Sequence, residues 1–428
     1  MSHLDEAPAH NVAQRSLFGD PERAVKPGYY IPVPKMLDFT LLKRAPDFES
    51  ENLYAYDSSD KLILETAADS LASVAPSEIV IIGDRYGAIT LGAITLGDQN
   101  MKDSDSNASV GAGIRIFQDS LISERALAQN AERLGYAAKY QNMPLDKELL
   151  RGARIVLMQL PKSLRELTQI ADAVARWAAD DVKIFAGGRV KHMNLTMNEV
   201  LANYFFEVKA SLAKQKSRVI LAAKPKKVSR EQPFPEWSQD ADLPFKLAGF
   251  GATFGGTKLD HGTRLLLKSL REDLEKRQTE ILDKKLKIVD LGCGNGAVAT
   301  SLALTLPEAQ IVATDVSYAA VQATNETLER TSVAHRVRVQ RADGCEGVAA
   351  GSADIVVLNP PFHTGTEVNE GLARKLIVSA ADALRTGGEL WLVMNSHLQY
   401  RAMLSRIVGE TSRISKDARF TVLRSVKS

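Results

Sequence analysis

Two short apolar runs, each ending in a glycine-containing loop, set the architecture of this chain. The runs read IVIIGDRYG, starting at Ile79, and KIVDLGCGNG, starting at Lys287, and they lie about 200 residues apart. Each is followed, in the same order, by short β-rich runs that alternate with helical stretches. A repeated order at this distance predicts an internal duplication at the scale of a domain.

Short β-rich runs without polar alternation, separated by helices, are typical of parallel strands that are covered on both faces. Each half is therefore predicted to be α/β, a doubly wound and mostly parallel sheet with its ligand site outside the carboxyl ends of the strands. A chain of 428 residues is also too long for one hydrophobic core. We predict a first domain at 1–230, a linker rich in charge and proline at 231–244, and a second domain at 245–428.

Composition excludes several classes of protein. Hydrophobic residues at 45% and charged residues at 25% are ordinary values for a soluble globular protein. The amino terminus is polar and the apolar runs are too short for a membrane helix, so a cytoplasmic protein without a membrane partner is expected. The two cysteines, Cys293 and Cys345, belong to no CxxC or Cys/His cluster, which argues against disulfides and a metal site. The sequence leaves the oligomeric state open, and a monomer is the starting hypothesis.

The loop DLGCGNG brings three glycines, Gly292, Gly294 and Gly296, between a predicted strand and a predicted helix. Glycine permits a tight turn and a close approach of the backbone to a ligand, and the helix amino terminus favours an anionic group. The spacing is GxGxG, which differs from the dinucleotide pattern GxGxxG. The loop is interpreted either as a ligand loop or as a plain connection from strand to helix.

Two acidic residues follow at the ends of the next predicted strands. Asp315 lies where a carboxylate in a nucleotide-binding α/β fold accepts hydrogen bonds from ribose hydroxyls, and the alternative is a cap for the helix after it. Asp343, followed by Gly344, is placed to receive an adenine amine, or else forms an ordinary turn. Their order along the chain, together with the glycine loop, favours a nucleoside site.

The strand IVVL stops at Asn359, Pro360, Pro361 and Phe362, because proline cannot donate to a sheet. The Asn359 amide oxygen and the Pro360 carbonyl oxygen are then two adjacent acceptors on a backbone stiffened by proline. Two acceptors match the two hydrogens of an exocyclic amino group and stabilise the positive charge that develops as its nitrogen attacks carbon. Phe362 is suited to stack on a base. A purely structural turn is the alternative.

Taken together, DLGCGNG, Asp315, Asp343 and NPPFH resemble class I S-adenosylmethionine-dependent methyltransferases with the amino-methylating (D/N/S)PP(Y/F) motif. The doubled architecture and the segment FGATFGGTKLDHGTRLLL, starting at Phe250, are similar to the RsmC/RlmG group of ribosomal RNA guanine-N2 methyltransferases. This resemblance is strong over 245–400 and diffuse before it. It implies two tandem Rossmann-like methyltransferase domains, the first degenerate, a seven-stranded catalytic sheet with one antiparallel strand, and S-adenosylmethionine as methyl donor.

The resemblance also implies roles for individual residues. The cofactor would be held by Asp290, Gly292, Gly294, Asn295, Gly296, Asp315, Val316, Asp343, Gly344 and Asp260. Asp260 is equally suited to be only the cap of the helix that follows it. The target guanine would be held by Asn359, Pro360, Pro361 and Phe362, with His363 beside it on the RNA side.

The first half departs from these motifs at two places. Arg85 replaces a glycine and Leu160 is aligned with the asparagine, whereas Asp119 keeps the acidic residue that follows the second strand. We expect this half to bind no S-adenosylmethionine and to catalyse nothing. A basic run at its end includes Lys224, Lys226 and Lys227, which suits RNA phosphates or is merely a solvated surface.

The leading hypothesis is methylation of the exocyclic N2 of a guanine in ribosomal RNA, free or within a ribosomal subunit or assembly intermediate. The same NPP(Y/F) motif also serves adenine-N6 methylation and methylation of a glutamine amide in proteins, so these substrates remain alternatives. A hypothesis from another class is a non-enzymatic RNA-binding or ribosome assembly factor built from two inactive methyltransferase folds.

Overall fold

Two sheets of parallel character, one in each half of the chain, form the framework of the computed structural model. The structure describes residues 36–102, 113–229, 231–277, 285–361 and 367–428. In the first half the described strands are β1 (Ile79–Ile82), β2 (Ile114–Phe117), β3 (Tyr140–Asn142), β4 (Ile155–Gln159), β5 (Lys183–Arg189), β6 (Phe205–Ala210) and β7 (Ser217–Pro225). The helices are α1 (Ser58–Leu71), α2 (Ala88–Lys102), α3 (Leu121–Leu134), α4 (Lys147–Leu150), α5 (Leu164–Trp177) and α6 (Leu195–Tyr204).

The second half repeats this order after a short hairpin. Its described strands are β8 (Glu236–Gln239), β9 (Lys246–Gly249), β10 (Lys287–Leu291), β11 (Gln310–Asp315), β12 (Val337–Arg341), β13 (Ala353–Leu358), β14 (Leu384–Asn395), β15 (Thr411–Lys416) and β16 (Phe420–Val426). The helices are α7 (His261–Lys276), α8 (Ala297–Thr305), α9 (Tyr318–Glu329), α10 (Glu367–Ala383) and α11 (Arg401–Ile407). Short 3₁₀ turns are Phe39–Leu41, Pro76–Glu78, Ala137–Lys139, Val190–His192 and Ala334–Arg336.

Both sheets have seven strands in the same order, β3-β2-β1-β4-β5-β7-β6 and β12-β11-β10-β13-β14-β16-β15. In each, only the penultimate strand in space, β7 or β16, runs antiparallel to its neighbours. The central strands are buried on both faces because helices cover both sides, which explains their continuous aliphatic sequence. The predicted fold class, two tandem doubly wound α/β units, is confirmed.

Strand register identifies the equivalent positions of the two halves and corrects two of the alignments made from sequence. Ile82 pairs with Phe117 and Met158, as Leu291 pairs with Thr314 and Leu358. The next residue along the chain is therefore the true counterpart in each case: Gln118 matches Asp315, and Gln159 matches Asn359. The expected counterparts, Asp119 and Leu160, each lie one residue too far along the chain.

The interval 231–244, predicted as a linker, contains ordered structure. Strand β8 pairs with β9 in an antiparallel hairpin, and Phe234 and Leu243 are buried on either side of β8. The hairpin packs against α9, where the Ala248 amide donates to the Thr327 hydroxyl at 3.0 Å. The Arg330 guanidinium covers the Trp237 ring, 3.7 Å from its centroid. This segment therefore belongs to the packed structure around the second sheet.

The two halves meet where β2 and β11 end. Ser120 and Ser317 form an antiparallel bridge, the Leu121 amide donates to the Val316 carbonyl at 2.9 Å, and the Tyr318 amide donates to the Asp119 carbonyl at 2.8 Å. Equivalent residues of the two sheets thus face each other across a pseudo-twofold contact. This contact brings the carboxyl edge of the first sheet against the carboxyl edge of the second.

Arg341 joins the same contact from the second half. Its guanidinium donates to the carbonyls of Gln118 and Asp119, each at 2.8 Å, and to the Glu124 carboxylate at 2.6 Å. A second ion pair, bidentate between Arg125 and Glu346, lies closer to solvent.

The described helices include none with the length and apolar character that a bilayer crossing requires.

Candidate active site

A cavity of about 770 Å³ opens at the carboxyl ends of β10, β11 and β13. Its wall brings together nearly all of the residues that the sequence analysis assigned to the cofactor and the target base. The predicted residues that line it are Asp260, Asp290, Gly292, Gly294, Asn295, Asp315, Val316, Asp343, Gly344, Asn359, Pro360 and Pro361. Motifs separated by up to a hundred residues in sequence therefore share one pocket.

The glycine loop faces this cavity with two of its three glycines. A Cβ built on Gly292 or Gly294 would meet no heavy atom within 4 Å, and both residues have positive φ, 80° and 56°. Gly296 differs, because a Cβ there would lie 3.0 Å from Thr324 Cα in α9. Gly296 therefore serves the packing of helix on helix and is not among the residues that line the cavity, so its contact with the cofactor stays a prediction.

Asp290 and Asn295 hold the loop from below. The buried Asp290 carboxylate accepts from the Ala299 amide at 2.9 Å, which satisfies a free N–H in the first turn of α8. Burial raises the pKa of Asp290 to about 7. The Asn295 amide nitrogen donates to the carbonyls of Gly256 and Lys258, both at 3.0 Å, and so fastens the segment before α7 to the glycine loop.

Asp315 ends β11 at the cavity wall. One of its oxygens accepts from the Gly294 amide at 3.1 Å and the other from the Ser317 amide at 2.9 Å. The alternative role of helix cap belongs to Ser317, whose hydroxyl accepts from the Ala320 amide at 3.1 Å. Burial raises the pKa of Asp315, while these two amide hydrogen bonds act in the opposite direction.

Asp343 and Gly344 form the turn after β12. The Asp343 carboxylate pairs with the Lys375 ammonium of α10 at 2.5 Å. Gly344 has φ of 64°, and a Cβ there would approach the Ser379 hydroxyl at 2.4 Å. These contacts hold the turn against α10. Asp343 and Gly344 both line the cavity.

Asn359 directly follows β13, and its side-chain amide is held in one orientation. Its amide nitrogen donates to the Thr263 hydroxyl at 2.8 Å and to the Asp260 carboxylate at 3.1 Å. None of the described residues donates to the Asn359 amide oxygen, and Asn359 lines the cavity beside Pro360. Phe362 and His363 lie outside the described residues, so their predicted contacts with the base stay predictions.

Asp260 combines the two roles that the sequence left open. It is the N-cap of α7, accepting from the amides of Gly262 at 2.9 Å and Thr263 at 3.1 Å. It also lines the cavity and accepts from Asn359. The same carboxylate therefore ends the helix and reaches the site.

The first half supplies one wall of the cavity, which sequence reasoning missed. Arg44, Asp47, Phe48, Tyr86 and Ser120 line it from that side. The Tyr86 hydroxyl donates to the Asp47 carboxylate at 2.6 Å, and burial followed by that hydrogen bond raises the pKa of Tyr86. These contacts join residues far apart in sequence, and no local motif marks them.

The predicted RNA-binding lysines lie away from the cavity, at the end of β7. Lys224 pairs with Glu207, and the Lys226 ammonium donates to the Ala202 carbonyl at 2.6 Å and lies 5.4 Å from the Phe206 ring centroid. Lys227 follows them. Two of the three cations are therefore already engaged by the protein.

A second group of cations, which the sequence analysis did not single out, lies at the opposite edge of the first sheet. None of its members has an ion-pair partner among the described residues: Arg85, Lys162, Arg189, Lys191 and Lys216. The environment lowers the pKa of His192, through desolvation first and then through Lys191 and its cationic neighbours. An uncompensated positive charge at the sheet edge that faces the second half is suited to a polyanion.

Comparison with known proteins identifies both halves. Residues 245–424 match the family model described as Methyltransferase small domain, and residues 36–227 match the one described as RLMG N-terminal domain. A ribosomal RNA large subunit methyltransferase G of Pseudomonas paraeruginosa is 31% identical over 387 residues, 90% of this chain and 97% of the relative. The protein of that name in Streptomyces avermitilis is 31% identical over 393 residues, 90% and 96% of the two chains.

Among solved structures, the fold is similar to the T. thermophilus 16S rRNA N2 methyltransferase RsmC, determined in complex with AdoMet and guanosine. The TM-score is 0.62 at 20% identity, with 85% of this chain and 92% of the other covered. At this identity the likeness establishes the fold alone.

Proposed function

Because the chain belongs to the ribosomal RNA large subunit methyltransferase G family, we propose that it methylates the exocyclic N2 of a guanine in large-subunit ribosomal RNA. The methyl donor is S-adenosylmethionine. The observation that supports this reaction most directly is the fixed orientation of the Asn359 amide, which presents an acceptor to the cavity.

The cavity suits S-adenosylmethionine in shape and in chemistry. Open space in front of Gly292 and Gly294 leaves room for the methionine end close to the backbone. The Asp315 carboxylate would accept from the ribose hydroxyls, and Val316 and Asp343 would flank the adenine. When bound, the cofactor supplies a methyl group on a positively charged sulfur. The residues proposed to hold it all lie at the carboxyl edge of the sheet, where ligands of doubly wound folds bind.

Asn359 and Pro360 would hold the amino group that receives the methyl. The Asn359 amide oxygen and the Pro360 carbonyl oxygen each accept one N–H of the guanine amine, which orients the nitrogen lone pair. Positive charge develops on that nitrogen during transfer, and fixed acceptors stabilise it without rearrangement. The guanine has to leave its stack to reach the cavity, at a cost of a few kcal/mol that RNA contacts must offset.

The cations at the carboxyl edge of the first sheet are proposed to contribute those RNA contacts. They flank the cavity wall formed by the first half, where Arg85 itself lines the cavity. Contacts of this kind weaken as salt concentration rises. The lysines at 224–227 are proposed as a second and weaker phosphate contact on the other edge of the sheet. We propose that the protein is cytoplasmic and that it is a monomer. Sedimentation of the purified chain would test the monomeric state.

The decisive experiment compares large-subunit ribosomal RNA from cells with and without this protein. We expect one N2-methylguanosine to disappear when the protein is absent and to return when purified protein and labelled S-adenosylmethionine are added to the undermodified RNA. Free RNA and isolated large subunits would be assayed in parallel to identify the substrate. Label in N6-methyladenine or in protein would overturn the guanine assignment, and no label in any fraction would favour a non-enzymatic role.

A further inference from the structure

The side-chain amide nitrogen of Asn359 is held by two hydrogen bonds, which fix the direction of the amide oxygen. Both of its N–H groups are used, one by the Thr263 hydroxyl at 2.8 Å and one by the Asp260 carboxylate at 3.1 Å. A flipped amide would lose the hydrogen bond to Asp260 and would bring its oxygen against that carboxylate, whereas the Thr263 hydroxyl can accept or donate. Resting on the function proposed above, we propose that Asp260 and Thr263 are positioning residues that keep the Asn359 oxygen directed at the target amine.

The clamp formed by Asp260 and Thr263 has a rigid support. Both residues belong to the first turn of α7, where Asp260 also accepts from the amides of Gly262 and Thr263. The segment just before it is fastened to the glycine loop by Asn295, through two hydrogen bonds of 3.0 Å. The clamp is therefore anchored on the same loop that faces the methyl donor, which sets the acceptor and the donor in a common frame.

The first half contains a similar arrangement, in which the acid is the third residue of the helix instead of its N-cap. Gln159, the counterpart of Asn359, donates from its amide nitrogen to the Asp60 carboxylate and, at 3.0 Å, to the Ser59 hydroxyl. Both partners lie in the first turn of α1, the helix equivalent to α7. An amide tied to an acid and a hydroxyl of the preceding helix is thus a repeated element of the fold, and in the second half it opens onto the cavity.

The clamp predicts an unusual dependence on charge. The substitution Asn359→Asp would present two equivalent oxygens that need no orientation, but the new carboxylate would lie close to that of Asp260. Like charges at this distance repel each other. Replacing Asp260 by asparagine at the same time would restore a donor facing the new carboxylate. The pair Asp260 and Asn359 should therefore tolerate exchange better than it tolerates the change of Asn359 alone.

The first test uses Thr263→Val and Thr263→Ser in the full chain, with undermodified large-subunit RNA as substrate. Valine keeps the shape and loses the acceptor, so we expect kcat to fall about tenfold while the dissociation constant of S-adenosylmethionine, from calorimetry, stays within about twofold. Serine should recover most of the turnover. Thr305→Val, which removes a helix hydroxyl far from Asn359, controls for the loss of a hydroxyl on a helix. Equal turnover of the valine and serine variants would overturn the clamp.

The second test is the exchange cycle, with Asn359→Asp, Asp260→Asn and the double variant. We expect Asn359→Asp to lower kcat about 100-fold and the double variant to regain about tenfold of it, a coupling within the range seen for contacting residues. A double variant no more active than Asn359→Asp would contradict the proposal. If the unmodified protein forms no N2-methylguanosine at all, the function proposed above fails instead, which separates the two conclusions.

Discussion

The two sheets share strand order, helix order and the turn that follows the first strand, yet they differ at positions that line the cavity in the second half. The outer glycines of that turn occur in both halves with positive φ, Gly83 and Gly87 in the first, Gly292 and Gly296 in the second. The middle position is Gly294 in one half and Arg85 in the other. The two outer glycines are therefore common to both halves, and the middle one occurs only in the half whose strand ends form the cavity.

The same contrast holds along the carboxyl edge. Asp315 is replaced by Gln118, and Asn359 by Gln159, while the strands that carry them remain equally buried. In the second half this edge opens into the cavity. In the first half it packs against the second half through Asp119 and Ser120 and adds a wall to that cavity. The same edge can thus line a cavity or form an interface through a few substitutions, because the core is left intact.

The strongest test of this comparison exchanges equivalent amides for alanine. Asn359→Ala removes an acceptor from the target amine, and we expect kcat to fall about 100- to 1,000-fold with little change in the affinity for S-adenosylmethionine. Gln159→Ala should leave turnover intact. It should lower the free energy of unfolding by about 1 to 3 kcal/mol, since Asp60 loses a donor. Methyl transfer assays and urea unfolding measure both, and a loss of turnover in Gln159→Ala would make the first half part of the catalytic apparatus.

A second test replaces Asp315 of the second half by glutamine, the residue found at the equivalent position Gln118 of the first half. Asp315→Gln keeps the size but loses the charge that accepts from two backbone amides and is proposed to accept from ribose, so donor affinity should fall about 10- to 100-fold. The reciprocal change, Arg85→Gly, should create no second donor site. Calorimetric titration gives affinity and stoichiometry together. Two equivalents of S-adenosylmethionine bound to Arg85→Gly would contradict the view that the first half lost its site at several positions.

How much of this could be predicted from sequence depends on the range of the interaction. The duplication, the sheet class and the residues of the cavity floor follow from local patterns, because the ends of neighbouring parallel strands meet at one edge. Asp260 is a partial success, since its capping role is local and its contact with Asn359 bridges 99 residues. The wall supplied by Phe48 and Tyr86 has no local signature. Errors of one residue at Asp119 and Leu160 arose because only strand register fixes which residue faces a site.

A third test separates the inner and outer ion pairs between the halves. Arg341→Met removes hydrogen bonds to two backbone carbonyls and to Glu124, beside the turn that follows β11. We expect a loss of about 2 to 3 kcal/mol in unfolding free energy and about threefold weaker binding of S-adenosylmethionine. Arg125→Met removes a pair that is more than a third exposed, so the loss should stay below about 1 kcal/mol. Equal losses would mean that the contact through Asp119 and Ser120 does not organise the cofactor side.

The smallest expected effect is the pH dependence of stability that arises from Glu166, an acid of the first half that lies at the contact with the second half. Glu166 lines a small cavity between the halves with Asp119, Tyr318 and Ala319. Burial, followed by the negative charge of Asp119, raises the pKa of Glu166 to about 7, while Arg85 opposes this. The folded protein therefore holds a proton on Glu166 that the unfolded chain releases at lower pH. The raised pKa of Glu166 therefore lowers the free energy of unfolding as the pH rises from about 4.5 to 7, and the loss is complete above pH 7.

Glu166→Gln removes this penalty, so we expect it to be more stable than the unmodified protein by about 1 to 2 kcal/mol at pH 8 and nearly equal to it at pH 4.5. Glu346 across the contact supplies a control of opposite sign, because its hydrogen bond to Arg125 lowers the pKa of its carboxyl. Glu346→Gln should therefore cost a little stability at pH 8 and less as the pH falls, since protonation would also weaken the ion pair in the unmodified protein. Urea unfolding of both variants at the two pH values measures the difference. If the two variants change stability in the same direction at pH 8, the first half does not present a destabilising acid to the second.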